Sequence, residues 1–535
     1  MRAEPLNNIR TLTTGTLIAA CFAVFIAQVG LAAPATLNGL FQADLHPVGS
    51  QLTWISDAFL IPVAALELTF GVLGDLFGRK RLLVIGALLL AAGEAISASA
   101  PHVQLLWAGQ ALAGLGAATL FPTSLAMLAV GTHTTRDRAR AIALWAGFLS
   151  LGGVTASVLG GLTGNFGSWR WTFIAIMILA LLCGATGLVL AQNSSAAQGR
   201  SLDWPGQITL TVSLVALLYS IIQGPTDGWG STPVIVGFAV AVISMSLFIT
   251  VESRVQAPLL RLDLFRNRSF AVVSIVTLVG MFSFLGTAYA TSLRLGPIQH
   301  QSPLRIAVAF VLLQGPSFLL IPLTGRLIER VNPRWLLASG FAIMAIGQLL
   351  AARLPISDLT LTALIVPFGL VGIGFVLSVS SVTANAVNAV PVQLAGMASA
   401  TTSMLRDLGF TMGPALIGAV ALSNAASRFS SALPGLHLPP SQAGPAAAIA
   451  HAGGPLAINS LPPGVPGSAA HQAAFDALGH GYSIGYALCA ICALAAALLT
   501  VTALGRKRAD LVEENEFLAS PIAAGGEPDT EPASL

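Results

Sequence analysis

In the run from Ala64 to Arg81 a single glutamate, Glu67, interrupts an apolar stretch, and four charges, Asp75, Arg79, Lys80 and Arg81, crowd its last seven positions. Placing a carboxylate in hydrocarbon costs about 2.5–3.5 kcal/mol even on a lenient insertion scale, so each such acid is a functional candidate. An acid withdrawn from water also holds its proton more readily, which is what a proton carrier requires. Glu67 therefore reads as a proton or cation site. Asp57, Glu94 and Asp407 are the further acids inside apolar runs and are candidates for the same chemistry. Arg406 directly precedes Asp407; neighbours on a helix point about 100° apart, so these two are expected to serve different partners. Gln28, Gln110, Gln314, Asn385 and Asn388, with Trp54 and Phe59 as aromatic neighbours, are candidates to line one cavity with Arg406.

Other chemistries lack their residues. There is no nucleotide-binding glycine loop, no metal-ligand spacing and no nucleophile with a nearby base, so neither an enzyme nor a cofactor is expected. Any pumping must then draw on an ion gradient. Cys21, Cys183, Cys489 and Cys492 all fall in apolar runs, where cysteine serves as a small packing residue. His437, His451, His471 and His480 are too scattered to predict a metal site.

The elements that must hold these residues are membrane helices. The chain has 535 residues, 55% of them hydrophobic and 9% charged. Its mean hydropathy of +0.81 excludes an ordinary soluble domain, and nothing in its charge suggests a nucleic-acid partner. A spanning helix needs about 20 apolar residues, and fourteen such runs are expected, from residues 14–36 to residues 482–504. The first is too long for a cleaved leader and reads as a retained helix. With the N-terminus inside, inner loops hold the 25 Lys and Arg except Arg170, Arg294, Arg305, Arg353 and Arg428, plus Arg406 within a span. Cytoplasmic loops carry that excess, so both termini are expected in the cytoplasm of a bacterium, the chain crossing its inner membrane.

An echo sharpens the plan. "GVLGDLFGRKRLLVIG" at 71–86 reappears as "GRLIERVNPRWLLASG" at 325–340, with Gly325, Arg326, Glu329, Arg330 and Arg334 in the second copy. The copies join spans 2 to 3 and 10 to 11. That offset fits two six-helix bundles, at 1–191 and 269–504, separated by two extra helices at 192–268. A flexible loop is expected at 423–481, on the outer side, and a disordered polar tail at 505–535.

The stretch Gly71, Leu73, Asp75, Gly78, Arg79, Lys80 and Arg81 resembles the signature loop between helices 2 and 3 of the major facilitator superfamily. "SWRWTFIA" at 168–175, "APLLRLDLFRNRSF" at 257–270 and "MLRDLG" at 404–409 resemble its fourteen-helix drug:proton antiporters. The resemblance implies an all-α membrane fold, export of amphipathic small molecules in exchange for protons, and a monomer. It also implies that Asp75 contacts the opposite bundle, at span 13, and steadies the outward-open state. Three positions depart from that group: Phe25 stands where an Asp is usual in helix 1, Gln110 replaces an Arg in helix 4, and Ala156 and Ser157 replace a Gly-Pro pair in helix 5. These departures make an uncoupled carrier, or one for a specific metabolite, the alternative. A sensor or scaffold that moves nothing is a more distant one.

Overall fold

The computed structural model describes residues 12–132, 135–195, 202–255, 258, 260–390, 395–436 and 469–504. In chain order its helices are α1 (Thr14–Ala32), α2 (Asn38–Leu45), α3 (Gln51–Phe77), α4 (Arg79–Ser99), α5 (Val103–Gly131), α6 (Thr135–Phe166), α7 (Trp169–Leu190), α8 (Trp204–Asp227), α9 (Thr232–Glu252), α10 (Arg268–Leu293), α11 (Pro303–Arg330), α12 (Pro333–Ala352), α13 (Thr362–Asn388), α14 (Ala395–Ala432) and α15 (Ala469–Ala503). Fourteen spans among the described residues are long and apolar enough to cross a bilayer, and α2 is the short helix outside them.

Helices α1 and α3–α7 pack into one bundle and α10–α15 into another. The bundles meet along two seams, α3 against α14 and α6 against α11. Small residues set the closest approaches: a Cβ on Gly93 of α4 would strike the backbone nitrogen of Ala113 on α5. Gly78, at φ +99°, lets α4 begin directly after α3, a turn that a side chain would strain. The extra pair is asymmetric. α8 lies against α3 and α14, while α9 touches mainly α8 and leaves Ile235, Val236, Val242 and Ile243 exposed for lipid.

One expectation needs correction, and one link between spans carries structure of its own. The link between the first two spans contains α2, held because Phe41 is fully buried against Trp169 and Phe173. The loop expected at 423–481 is helical in its described flanks, since α14 continues to Ala432 and α15 begins at Ala469. Alanine there reads as low complexity but is the best helix former, and Phe429 buries itself against Ala474 and Ala477. Residues 437–468, with His437 and His451, and the tail at 505–535 lie outside the described residues.

Candidate functional site

Between the bundles lies a cavity of about 1930 Å³. It is sealed at the end remote from the Gly78 turn. There the Asn38 amide donates to Ser292 Oγ at 2.8 Å, Ser292 donates to the Ala35 carbonyl, and the Thr53 and Tyr289 hydroxyls stand 2.6 Å apart. Backbone meets backbone at the same level, with a Cβ on Gly39 falling 3.0 Å from the Gly296 Cα. At the other end Asp75, Arg79, Arg138, Arg261 and Met397 line the mouth.

Midway along the α3–α14 seam, Glu67 and Asp407 are electrostatic neighbours, with Arg406 acting on both. Arg406 and Asp407 form a two-point ion pair, Nε to Oδ1 and Nη2 to Oδ2, each 2.8 Å. The expectation that these adjacent residues serve different partners was wrong. Their Cβ atoms diverge, but the long arginine side chain folds back along its own helix to the nearest carboxylate. Glu67 is 6% exposed and one of its oxygens has no hydrogen-bond partner among the described residues. All three line the cavity.

The structure also brings Gln28 of α1 and Gln314 of α11 to the cavity, facing each other from opposite bundles across Gly153 of α6. Several expected residues lie elsewhere. Glu94 is fully buried inside the first bundle, one oxygen 3.2 Å from where a Cβ on Gly30 would stand. Phe59 packs against the same Gly30, and Gln110 donates to Ser97 Oγ at 3.0 Å, so both belong to that bundle's interior. Asn385 donates to the Ser381 carbonyl of its own helix, and Asn388 is likewise not among the lining residues. Trp54 lines a separate recess. Asp57 is fully buried next to Tyr289, within the seal rather than on the cavity wall, and its oxygens have no hydrogen-bond partner among the described residues.

At the signature turn, Arg79 donates to Asp75 through Nε at 3.1 Å and Nη2 at 2.5 Å, and its backbone N–H donates to the Ser194 carbonyl. This ties the α3–α4 turn to the chain leaving α7. Lys80 is half-buried and Arg81 exposed. In the second copy the chain turns at Val331 and Asn332; Arg326 and Arg330 are exposed, and Arg334 donates to the Val501 carbonyl and covers the Trp335 ring. Gly325 and Glu329 both fall within α11, and the Glu329 side chain lies outside what is described.

Sequence reading missed the aromatic wall. Phe284 and Phe375 stack with centroids 3.7 Å apart, and Phe410 stands 6.4 Å from each. They come from three helices, α10, α13 and α14, so no single stretch announces them. A signal did exist on α10, where Thr277, Met281, Phe284, Ala288 and Ser292 recur at helical spacing and all line the cavity.

Comparison with known proteins agrees with this architecture. The family model described as "Major Facilitator Superfamily" matches residues 18–414. The chain is 30% identical to "Multidrug resistance protein Stp" of Mycobacterium tuberculosis over 69% of this chain and 68% of that one. It is 27% identical to "Tetracenomycin C resistance and export protein" of Streptomyces glaucescens over 97% of each. Among solved structures, a bacterial homolog of the human lysosomal transporter Spinster superposes with a TM-score of 0.59 at 16% identity, covering 91% of this chain and 97% of that one.

Proposed function

The chain belongs to the Major Facilitator Superfamily, and from that premise we propose that it exports amphipathic small molecules by alternating access, coupled to inward proton flow. It is a transporter, not an enzyme. The observation that carries the coupling is Glu67 beside Asp407 and Arg406 on the cavity wall, at a seam between the two bundles. Two carboxylates share one guanidinium there, so the ionised group carries one uncompensated negative charge. A proton on Glu67 relieves that charge, and so does a substrate's polar or cationic end. Proton and substrate then compete for one place, which is the elementary requirement of antiport.

The rest of the cycle follows from placement. The basic residues around the Gly78 turn support a mouth that opens to the cytoplasm, in a bacterial inner membrane with both termini on that side. The state described is thus inward-open, and substrate enters between Asp75, Arg138 and Arg261 toward the aromatic wall. Rocking the bundles breaks the Thr53–Tyr289 and Asn38–Ser292 contacts and closes the mouth, where Asp75 meets the start of α14. Glu67 then takes its proton from outside. The named relatives, a multidrug resistance protein and a tetracenomycin C exporter, support the direction and the substrate class. The working unit is a single chain.

One observation favours a second reading, an uncoupled carrier of a specific metabolite. Phe25 and Gln110 occupy the helix 1 and helix 4 positions where antiporters of this kind carry charge, and Gln110 is buried away from the cavity on Ser97. Efflux of fluorescent amphipathic dyes from cells producing the protein separates the two. Export against a gradient that stops on adding an uncoupler supports antiport, whereas flux that only equilibrates the dye and ignores the uncoupler supports the carrier.

A further inference from the structure

A second recess, of about 430 Å³, lies outside the central cavity between the ends of α3, α5 and α8. Three aromatic side chains wall it. The Trp54 ring stands 6.2 Å from Trp107 and 6.3 Å from Tyr219, with planes tilted by 44° and 48°, so Trp54 links the other two rings. Both indole N–H groups are already used. Trp54 donates to Gln223 Oε1 at 3.2 Å and Trp107 to the Gln51 carbonyl at 3.1 Å. Asp227 stands exposed on the rim, held by Gln223 Nε2 at 3.2 Å. No Lys, Arg or His lines the recess among the described residues.

This chemistry selects a charge sign. Ring faces carry negative potential and attract cations within about 6 Å, most strongly where several rings surround an ammonium. A rim carboxylate adds to that attraction, and with no basic side chain among the described lining residues the recess holds no cation to pair with an anion. Its volume suits a small organic ammonium. The position fits too, because Ser50 and Asp227 lie at helix ends, at the depth where headgroups meet water. We propose that Trp54, Trp107, Tyr219 and Asp227 form a binding site for an organic ammonium group, separate from the transport cavity. A lipid ammonium headgroup and a soluble organic cation share that chemistry.

The test is equilibrium binding of radiolabelled benzyltrimethylammonium to the purified full-length protein in detergent. Saturable binding is expected in wild type, and Glu67→Gln should remove only the component held in the transport cavity and retain the recess component at its wild-type affinity. The recess component should weaken at least tenfold in Trp107→Ala and in Tyr219→Ala, and recover in Trp107→Phe. Asp227→Asn, on the exposed rim where folding is not at stake, should weaken it several-fold. Nanodiscs then distinguish the sources: binding suppressed in phosphatidylethanolamine but not in phosphatidylglycerol makes the lipid headgroup the occupant, and equal binding in both makes it a soluble cation. No saturable binding in wild type, binding indifferent to the recess variants, or no saturable component remaining in Glu67→Gln would overturn the proposal and leave these rings as an ordinary interfacial belt.

Discussion

Asp407 stands between Glu67, across the seam, and Arg406, its neighbour on α14, and removing Arg406 would leave both acids without their shared cation. Breaking a buried ion pair by deleting one partner costs about 3–5 kcal/mol. The Arg406 side chain is 19% exposed to the cavity, which places the cost near the lower end, about 3 kcal/mol. Asp407→Asn instead leaves one acid and one base free to pair. Arg406→Ala is therefore expected to lower the apparent unfolding temperature of the purified protein clearly more than Asp407→Asn does. Equal shifts in a thermal ramp would mean that Arg406 does not hold the acids together. Glu67 and Asp407 were legible in the sequence because a carboxylate in an apolar run is conspicuous. Their meeting was not, since 340 positions separate them and only the packing of α3 on α14 brings them together. Phe284, Phe375 and Phe410 were invisible for the opposite reason, being apolar residues among apolar residues.

At the scale of elements, length and hydropathy sufficed for the spans, because hydrocarbon leaves the backbone no alternative to helical hydrogen bonds. Short or alanine-rich pieces escaped that logic. Helix α2 has only eight residues and ends at His46, in the left-handed region at φ +46°. Its docking rests on α7: Asp44 accepts from Arg170 Nη1 at 2.6 Å and from Trp169 Nε1 at 2.9 Å, which gives the "SWRW" stretch a structural purpose. The Arg170 hydrogen bond, with a further one from Trp169, holds the Asp44 carboxyl below its ordinary value. Folding thus favours the ionised acid, and the stabilisation is full above the ordinary carboxylate range near 4 and fades as pH falls through the lowered value. Both partners are part-exposed, so the contribution is about 0.5–1 kcal/mol. Asp44→Asn is expected to unfold earlier than wild type at pH 7 and to lose most of that difference at pH 3. A difference that persists in acid would assign the effect to packing instead of charge.

For the whole molecule, the question is what moves as one body. α8 is tied to α3 at both ends, through Gln207 Nε2 to the Ala65 carbonyl at 2.8 Å and Ser50 Oγ to Gln223 Oε1 at 2.5 Å. Toward α14 it presents, among the described residues, an apolar face, Leu218, Ile221 and Ile222 against Ala415 and Ala419. Hydrogen bonds fix a register and apolar faces slide, so α8 should travel with the first bundle. A disulfide between cysteines at Ser50→Cys and Gln223→Cys is expected to leave transport intact, while one between Thr53→Cys and Gly418→Cys, across the seal, should stop it until reduced. Transport that survives the second cross-link would rule out opening at this seam. The most direct test of the account is substrate-driven proton release from acidified everted vesicles, with cationic dyes and a panel of antibiotics, for wild type beside Glu67→Gln at matched protein level. Release in wild type that disappears in Glu67→Gln is the predicted result. Substrate movement indifferent both to the proton gradient and to the substitution would contradict it, and would make this protein a facilitator in which Glu67 serves structure alone.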